Sequence, residues 1–309
     1  MTVNHHLGHF HDLPVHSFTP GAAAQPAADA VAWRIALEYD AACDFAELWS
    51  TFLDTVDPAT VRAVVIGSWW QRDYEPVKAA VAAIADEAER LPALEALFLG
   101  DVTYDECEIS WLEMSDVTLL LTVFPSLTEF SVRGGTDLRL SPVRHDRLRS
   151  LRFEAGGLPS PVVRAVAASE LPVLEELVLW LGVDEYGGDA TIDDLGPFLD
   201  GARFPVLRHL GLANSEFQDE IASALAHAPV VARLETLDLS MGVLSDEGAA
   251  ALLEGQPLTH LRAIDLHHHY LTEEMQERLR EALPGVEVDL SEAEDEGEDP
   301  EDRYVAVAE

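Results

Sequence analysis

The chain has 309 residues, of which 57 are acidic and 19 basic, giving a formal net charge of -38; such a field repels nucleic acid and anionic membranes. Hydrophobic residues make up 48% of the sequence, which is ample for a buried core and excludes a disordered chain. No apolar run approaches the roughly 18 residues that span a bilayer, and MTVNHHLGHF has no basic start followed by an apolar stretch, so a cytoplasmic protein is expected.

Residues 1–30 form a His-rich and Pro/Ala-rich segment, with His5, His6, His9, His11 and His16 ahead of FTPGAAAQPAADA. It has few structural constraints, and its histidines offer adventitious metal affinity and no functional ligand set. Residues 31–60 suit an N-terminal cap: 31–39 alternate as a strand, and 46–56 have helical spacing with Trp49 and Phe52 inward. Cys43 and Cys107 lie too far apart for a metal-ligand spacing or a disulfide framework and are expected as buried thiols.

From Val61 to Leu290 one pattern recurs, L-x-x-L-x-L with aliphatic or aromatic equivalents. After the weak copy Val61-Val64-Ile66, its first positions are Leu94, Leu127, Leu148, Leu174, Leu207, Leu234 and Leu261. Successive copies start 33, 33, 21, 26, 33, 27 and 27 residues apart, close to the period of about 20 to 29 that stacks one strand and one return segment per unit. Helical returns are expected at 74–90, 160–169, 191–199, 216–227, 245–254 and 272–283. Ser245 and Thr272 precede acidic first turns, which suits capping of free amides at the positive end of a helix. Pro92, Pro125, Pro172 and Pro205 punctuate the entry to four motifs. The unit from Leu127 to Leu148 is too short for a full helix, so an extended return and a local notch are expected there. Residues 286–290 suit a last strand. In the acidic C-terminal tail, residues 291–309, the run from Ser291 to Asp302 has almost nothing to bury. Truncation after Leu290 should then leave stability nearly unchanged, unless the alternating RYVAVAE docks back as a strand.

These motifs and spacings resemble the leucine-rich repeat superfamily, in its ribonuclease-inhibitor-like branch. Leu97-Phe98-Leu99-Gly100-Asp101-Val102-Thr103-Tyr104, Glu185-Tyr186-Gly187-Gly188-Asp189-Ala190 and Asp265-Leu266-His267-His268-His269-Tyr270 are similar to stretches of an actinobacterial, hence bacterial, repeat family with no assigned activity. The resemblance implies an α/β solenoid, a horseshoe or arc with a parallel concave sheet and convex helices, and a role in protein binding. It carries no catalytic residues across. Ser215, Gly242 and His269 stand where the superfamily places asparagine after each strand, which puts the usual asparagine ladder in doubt.

Strand side chains between the core positions face the concave surface. The residues expected to bind a partner are Arg152, Glu154, Glu176, Trp180, His209, Asp238, Ser240, Asp265 and His267. The earlier units present Ala63, Val65, Gly67, Ala96, Phe98 and Gly100, an apolar set that suits cover by the N-terminal segment. Asp265 and His267 are also candidates for a divalent ion, although ligation wants three or four converging donors; a solvated, hydrogen-bonded edge is the plainer reading. Trp69 and Trp70, at a strand end, suit either packing under a loop or exposed anchoring. Motifs for nucleotide, dinucleotide, serine-nucleophile and zinc-protease chemistry are absent from the sequence. The expected function is a non-catalytic scaffold, without cofactor, that holds a protein partner, a basic one if the net charge selects it. The alternative is a metal-assisted hydrolase, or a subunit of a modifying enzyme, using Asp238, Asp265 and His267.

Overall fold

The computed structural model describes residues 3–71, 74–295 and 302–309. Its elements follow in chain order: β1 (His9–Phe10), β2 (Leu13–Ser17), β3 (Ala32–Ile35), α1 (Phe45–Thr55), β4 (Ala63–Ile66), α2 (Lys78–Asp86), β5 (Ala96–Leu99), α3 (Thr118–Val123), β6 (Glu129–Arg133), β7 (Ser150–Glu154), α4 (Ser160–Ala168), β8 (Glu176–Gly182), α5 (Ile192–Leu199), β9 (His209–Ser215), α6 (Gln218–Leu225), β10 (Thr236–Asp238), α7 (Asp246–Glu254), β11 (Ala263–Asp265), α8 (Glu273–Ala282) and β12 (Glu287–Asp289). The strands lie in sequence order in one open sheet. β1 and β2 are antiparallel, and from β2 to β12 all neighbours are parallel. The fold is a leucine-rich repeat solenoid.

The sequence repeat becomes a stack because each strand pairs with the same position of the next. Leu97, Phe130, Leu151, Leu177, Leu210, Leu237 and Ile264 stand side by side in β5 to β11, and all are buried beneath the sheet. No single unit could bury this row, so neighbouring units stabilise one another. The helix starts repeat as well. Ser245 and Thr272 cap α7 and α8, accepting from the amides of Glu247 (3.3 Å) and Met275 (3.2 Å). Each cap also bonds an aspartate one unit back: Asp219 accepts from the Ser245 amide (2.8 Å) and Asp246 from that of Thr272 (2.9 Å). Between β6 and β7 the return is extended, held by isolated bridges from Arg139 to Asp116 and from Arg144 to Glu170. With no helix there, a hollow of about 580 Å³ opens between α3 and residues 142–147.

Histidine takes the place of the asparagine ladder at one turn. Nδ1 of buried His269 accepts from the Leu271 amide (3.1 Å), and Nε2 donates to the Leu290 carbonyl of the next unit (3.3 Å). Burial lowers its pKa, favouring the neutral ring that this pair of bonds requires.

Both ends of the chain return to the solenoid. His11 and Asp12, with φ of 53° and 57°, form a tight left-handed turn that joins β1 to β2 in a hairpin within the segment expected to be unconstrained. At the other end, RYVAVAE docks across the ends of several strands. Val305, Ala306 and Val307 are buried; the Ala306 amide donates to the Met241 carbonyl (2.8 Å) and the Val307 amide to Oδ1 of Asn214 (2.9 Å). The expected insensitivity to truncation is therefore corrected, since removal would open apolar contacts and buried hydrogen bonds. The acidic stretch 296–301 lies outside the described residues. No helix among the described residues is long and apolar enough to cross a membrane.

Candidate functional site

The concave face divides into a covered and an open part. Over β3 to β5, Phe10 of the hairpin packs against Ala32, Ala63, Val65, Ala96 and Phe98 as a second small core, its ring edge-on to Phe98 at 5.8 Å. At the hairpin tip, His11 lies between Glu129 (Nδ1 to Oε2, 3.0 Å) and Glu95 (Nε2 to Oε2, 3.4 Å). Its pKa is raised, chiefly by the hydrogen bond to Glu129. Small apolar residues on early strands and the N-terminal hairpin thus explain one another; on β6 the outward Ser131 and Arg133 are still buried, and the open face begins at β7.

A chain of charges marks this border. Asp101, fully buried, accepts from Arg34 Nε (2.7 Å) and the Leu7 amide (3.1 Å), and Arg133 Nη1 lies 3.9 Å from it. Arg133 Nε donates to Glu154 Oε2 at 2.8 Å, and its guanidinium sits 5.2 Å from the Phe98 ring centroid. Arg152 then bridges Glu154 (3.8 Å) and Glu176 (3.0 Å). Removing one partner of such a buried pair is strongly destabilising, because the other charge is left uncompensated. Arg152 and Glu154 also wall an open cavity of about 540 Å³ that extends under the hairpin tip.

Farther along, register places Asp238, Asp265 and Asp289 side by side on β10, β11 and β12. Each accepts from the backbone amide two residues on, those of Ser240 (3.0 Å), His267 (3.0 Å) and Ser291 (2.9 Å). Asp238 also accepts from Ser240 Oγ at 2.6 Å, and Asp265 from His267 Nδ1 at 2.8 Å. His267 is raised in pKa, first by that hydrogen bond. His209 on β9 contacts the Thr236 hydroxyl and is lowered in pKa, first by burial.

The expected residues thus occupy one face, in two different settings. Glu154 and Ser240 are buried and position their neighbours. Arg152, Glu176, His209, Asp238, Asp265 and His267 are half-buried, as is Trp180, which pairs in register with Ala213. Trp69 and Trp70 are packed inside, with the Trp69 indole donating to the Glu75 carbonyl at 2.6 Å. Cys107 is buried and its thiol is pushed up to about 11 by burial, whereas Cys43 is half-buried. Asp289 joins Asp265 and His267 in a group whose ligand atoms lie within 4.8 Å of one another. Asp238 was expected there, but the third member is Asp289. The signal was present: 286–290 alternate, and following the outward positions of that last strand leads to Asp289. Three donors can hold a divalent ion with open positions, although both carboxylates already cap backbone amides.

A crystal structure of a Bacteroides fragilis protein is similar to this chain at 32% identity, covering 87% of this chain and 76% of that chain, with a TM-score of 0.79. A Leptospira interrogans LRR protein is 12% identical over 85% of this chain and 90% of that one; its TM-score is 0.21, too low to carry an argument. Neither a family model nor a curated protein matches the chain.

Proposed function

We propose that this chain, which belongs to one family with the Bacteroides fragilis protein and shares its fold, is a non-catalytic scaffold holding a protein partner on the concave face, mainly from β7 to β11. The observation that supports this reading most is the division of the face. The hairpin covers the apolar part, and the polar part stays open with its side chains already fixed by ion pairs and aspartate caps. Groups ordered before binding lose little entropy on association. A basic partner suits the aspartate row and the net charge of -38. A cytoplasmic setting and kinship with actinobacterial repeat proteins belong to the same reading.

The test is to recover a partner from the native cell with this chain as bait and measure its affinity for variants. Trp180→Ala and Asp238→Ala should each weaken binding by about 1 kcal/mol or more, the range of contributing interface residues. Glu277→Ala, on exposed α8, should leave it unchanged. Equal losses from both faces would sink the assignment. The convergence of Asp265, His267 and Asp289 supports a second reading, a metal-assisted hydrolase. That reading requires stoichiometric divalent-ion binding and turnover, both lost in Asp265→Asn.

A further inference from the structure

A second surface lies off the concave face, on the rim where the chain leaves β3, β4 and β5. Seven large hydrophobic side chains are exposed among the described residues, and four of them gather here, all aromatic: Tyr39 at 72%, Tyr74 at 50%, Tyr104 at 41% and Trp111 at 62%. A sequence places isolated apolar groups on a surface without consequence, but a contiguous set is the mark of a contact site. These rings border two adjoining hollows of about 490 and 270 Å³, which share Tyr74, Asp105 and Glu106.

The walls are held in place. Trp70 lines the larger hollow from below, almost wholly buried and edge-on to Tyr74 at 5.4 Å between centroids. Tyr74 donates its hydroxyl proton to the Glu106 carbonyl at 3.2 Å. The Glu106 carboxylate accepts from the Thr103 amide at 2.9 Å, which fixes its loop. Glu38, Asp105 and Glu108 supply carboxylates to the hollows, while that of Glu106 already faces Arg34 Nη2 (3.8 Å) and His6 Nε2 (3.5 Å).

Aromatic faces beside carboxylates recognise a positive charge through the ring quadrupole and through ion pairing. A planar guanidinium can stack on a ring and bond a carboxylate with two parallel N–H groups, which an ammonium cannot do. From this complementarity we propose that the rim binds an arginine-bearing protein segment, at a site separate from the concave face.

The test uses a synthetic capped peptide with two arginines spaced by glycine, together with its citrulline counterpart, which keeps the shape and loses the charge. Binding to the full chain is followed by calorimetry at physiological ionic strength, where diffuse attraction is screened. Tyr39→Ala and Trp111→Ala alter exposed side chains and leave net charge unchanged. Each should weaken the arginine peptide by about three- to fivefold, the fold-change of one exposed cation–π contact, with an unchanged melting temperature. Glu277→Gln on α8 removes one charge elsewhere and should have no effect. Full affinity in both aromatic variants would overturn the proposal, because the peptide would then be reading only the acidic surface. Equal affinity for the citrulline peptide, or no binding of the arginine peptide, would overturn it as well.

Discussion

His209 and His267 stand on the same face two strands apart, yet their surroundings push their titrations in opposite directions. His267 is raised by its hydrogen bond to Asp265, and His209 is lowered by burial, both from an ordinary value of 6.5. For His267 the contribution to stability is fully present below pH 6.5 and is lost as pH rises through its higher folded pKa. For His209 it is present above pH 6.5 and lost as pH falls through its lower folded pKa. Imidazole proton NMR should therefore give separate midpoints on either side of 6.5, and Asp265→Asn should bring His267 down much more than His209, on which Asp265 acts only as a minor charge. A common midpoint would contradict these environments. At this scale, alternation within each strand makes the outward residues legible in the sequence. What joins them is not legible: the pair Arg133 and Glu154 spans 21 residues and exists only once β6 and β7 are in register.

The closing segment shows what a repeat pattern leaves out. RYVAVAE alternates like a strand, but it crosses the ends of other strands and bonds them through side chains. Tyr304 bonds the Tyr270 hydroxyl in both directions, with N to O at 3.0 Å and O to O at 3.1 Å. Asn214, fully buried, serves Val307 through both ends of its amide, and a Cβ at Gly156 would collide with the Ala308 carbonyl. None of these partners has a signature in the motif. Deleting residues 303–309 exposes the sites of Val305 and Val307 and should cost about 2 to 5 kcal/mol, from about 1.5 to 3 for each buried valine less the residual burial in the unfolded chain. Asn214→Ala leaves a buried amide without its acceptor and should cost about 1 to 3 kcal/mol. Because both changes remove the same contacts, the double variant should be much less destabilised than the sum of the two, as chemical denaturation can measure. Full additivity would show that the segment is not held by Asn214. The helices were more legible, since Ser245 and Thr272 cap where the sequence places them. α3 was missed because it is only six residues long and its N-cap residue, Val117, has no side chain that can accept a hydrogen bond.

Across the whole molecule the L-x-x-L-x-L period determines the architecture, because one buried row per unit can be satisfied only by stacking in register. The same regularity gives the concave face its fixed geometry, while the hairpin and the docked C-terminus limit which parts of the solenoid stay open. The apolar outward residues of β3 to β5 signal a cover in the sequence; the length and direction of the hairpin depend on a left-handed turn at His11 and Asp12 that residue types alone do not announce. The most direct measurement of the concave-face assignment is amide hydrogen exchange with and without the captured partner, at saturating concentration. New protection is expected in peptides covering β7 to β11 and their following turns, with α4 to α8 unchanged. Protection confined to those helices, with the strands unaltered, would contradict the account.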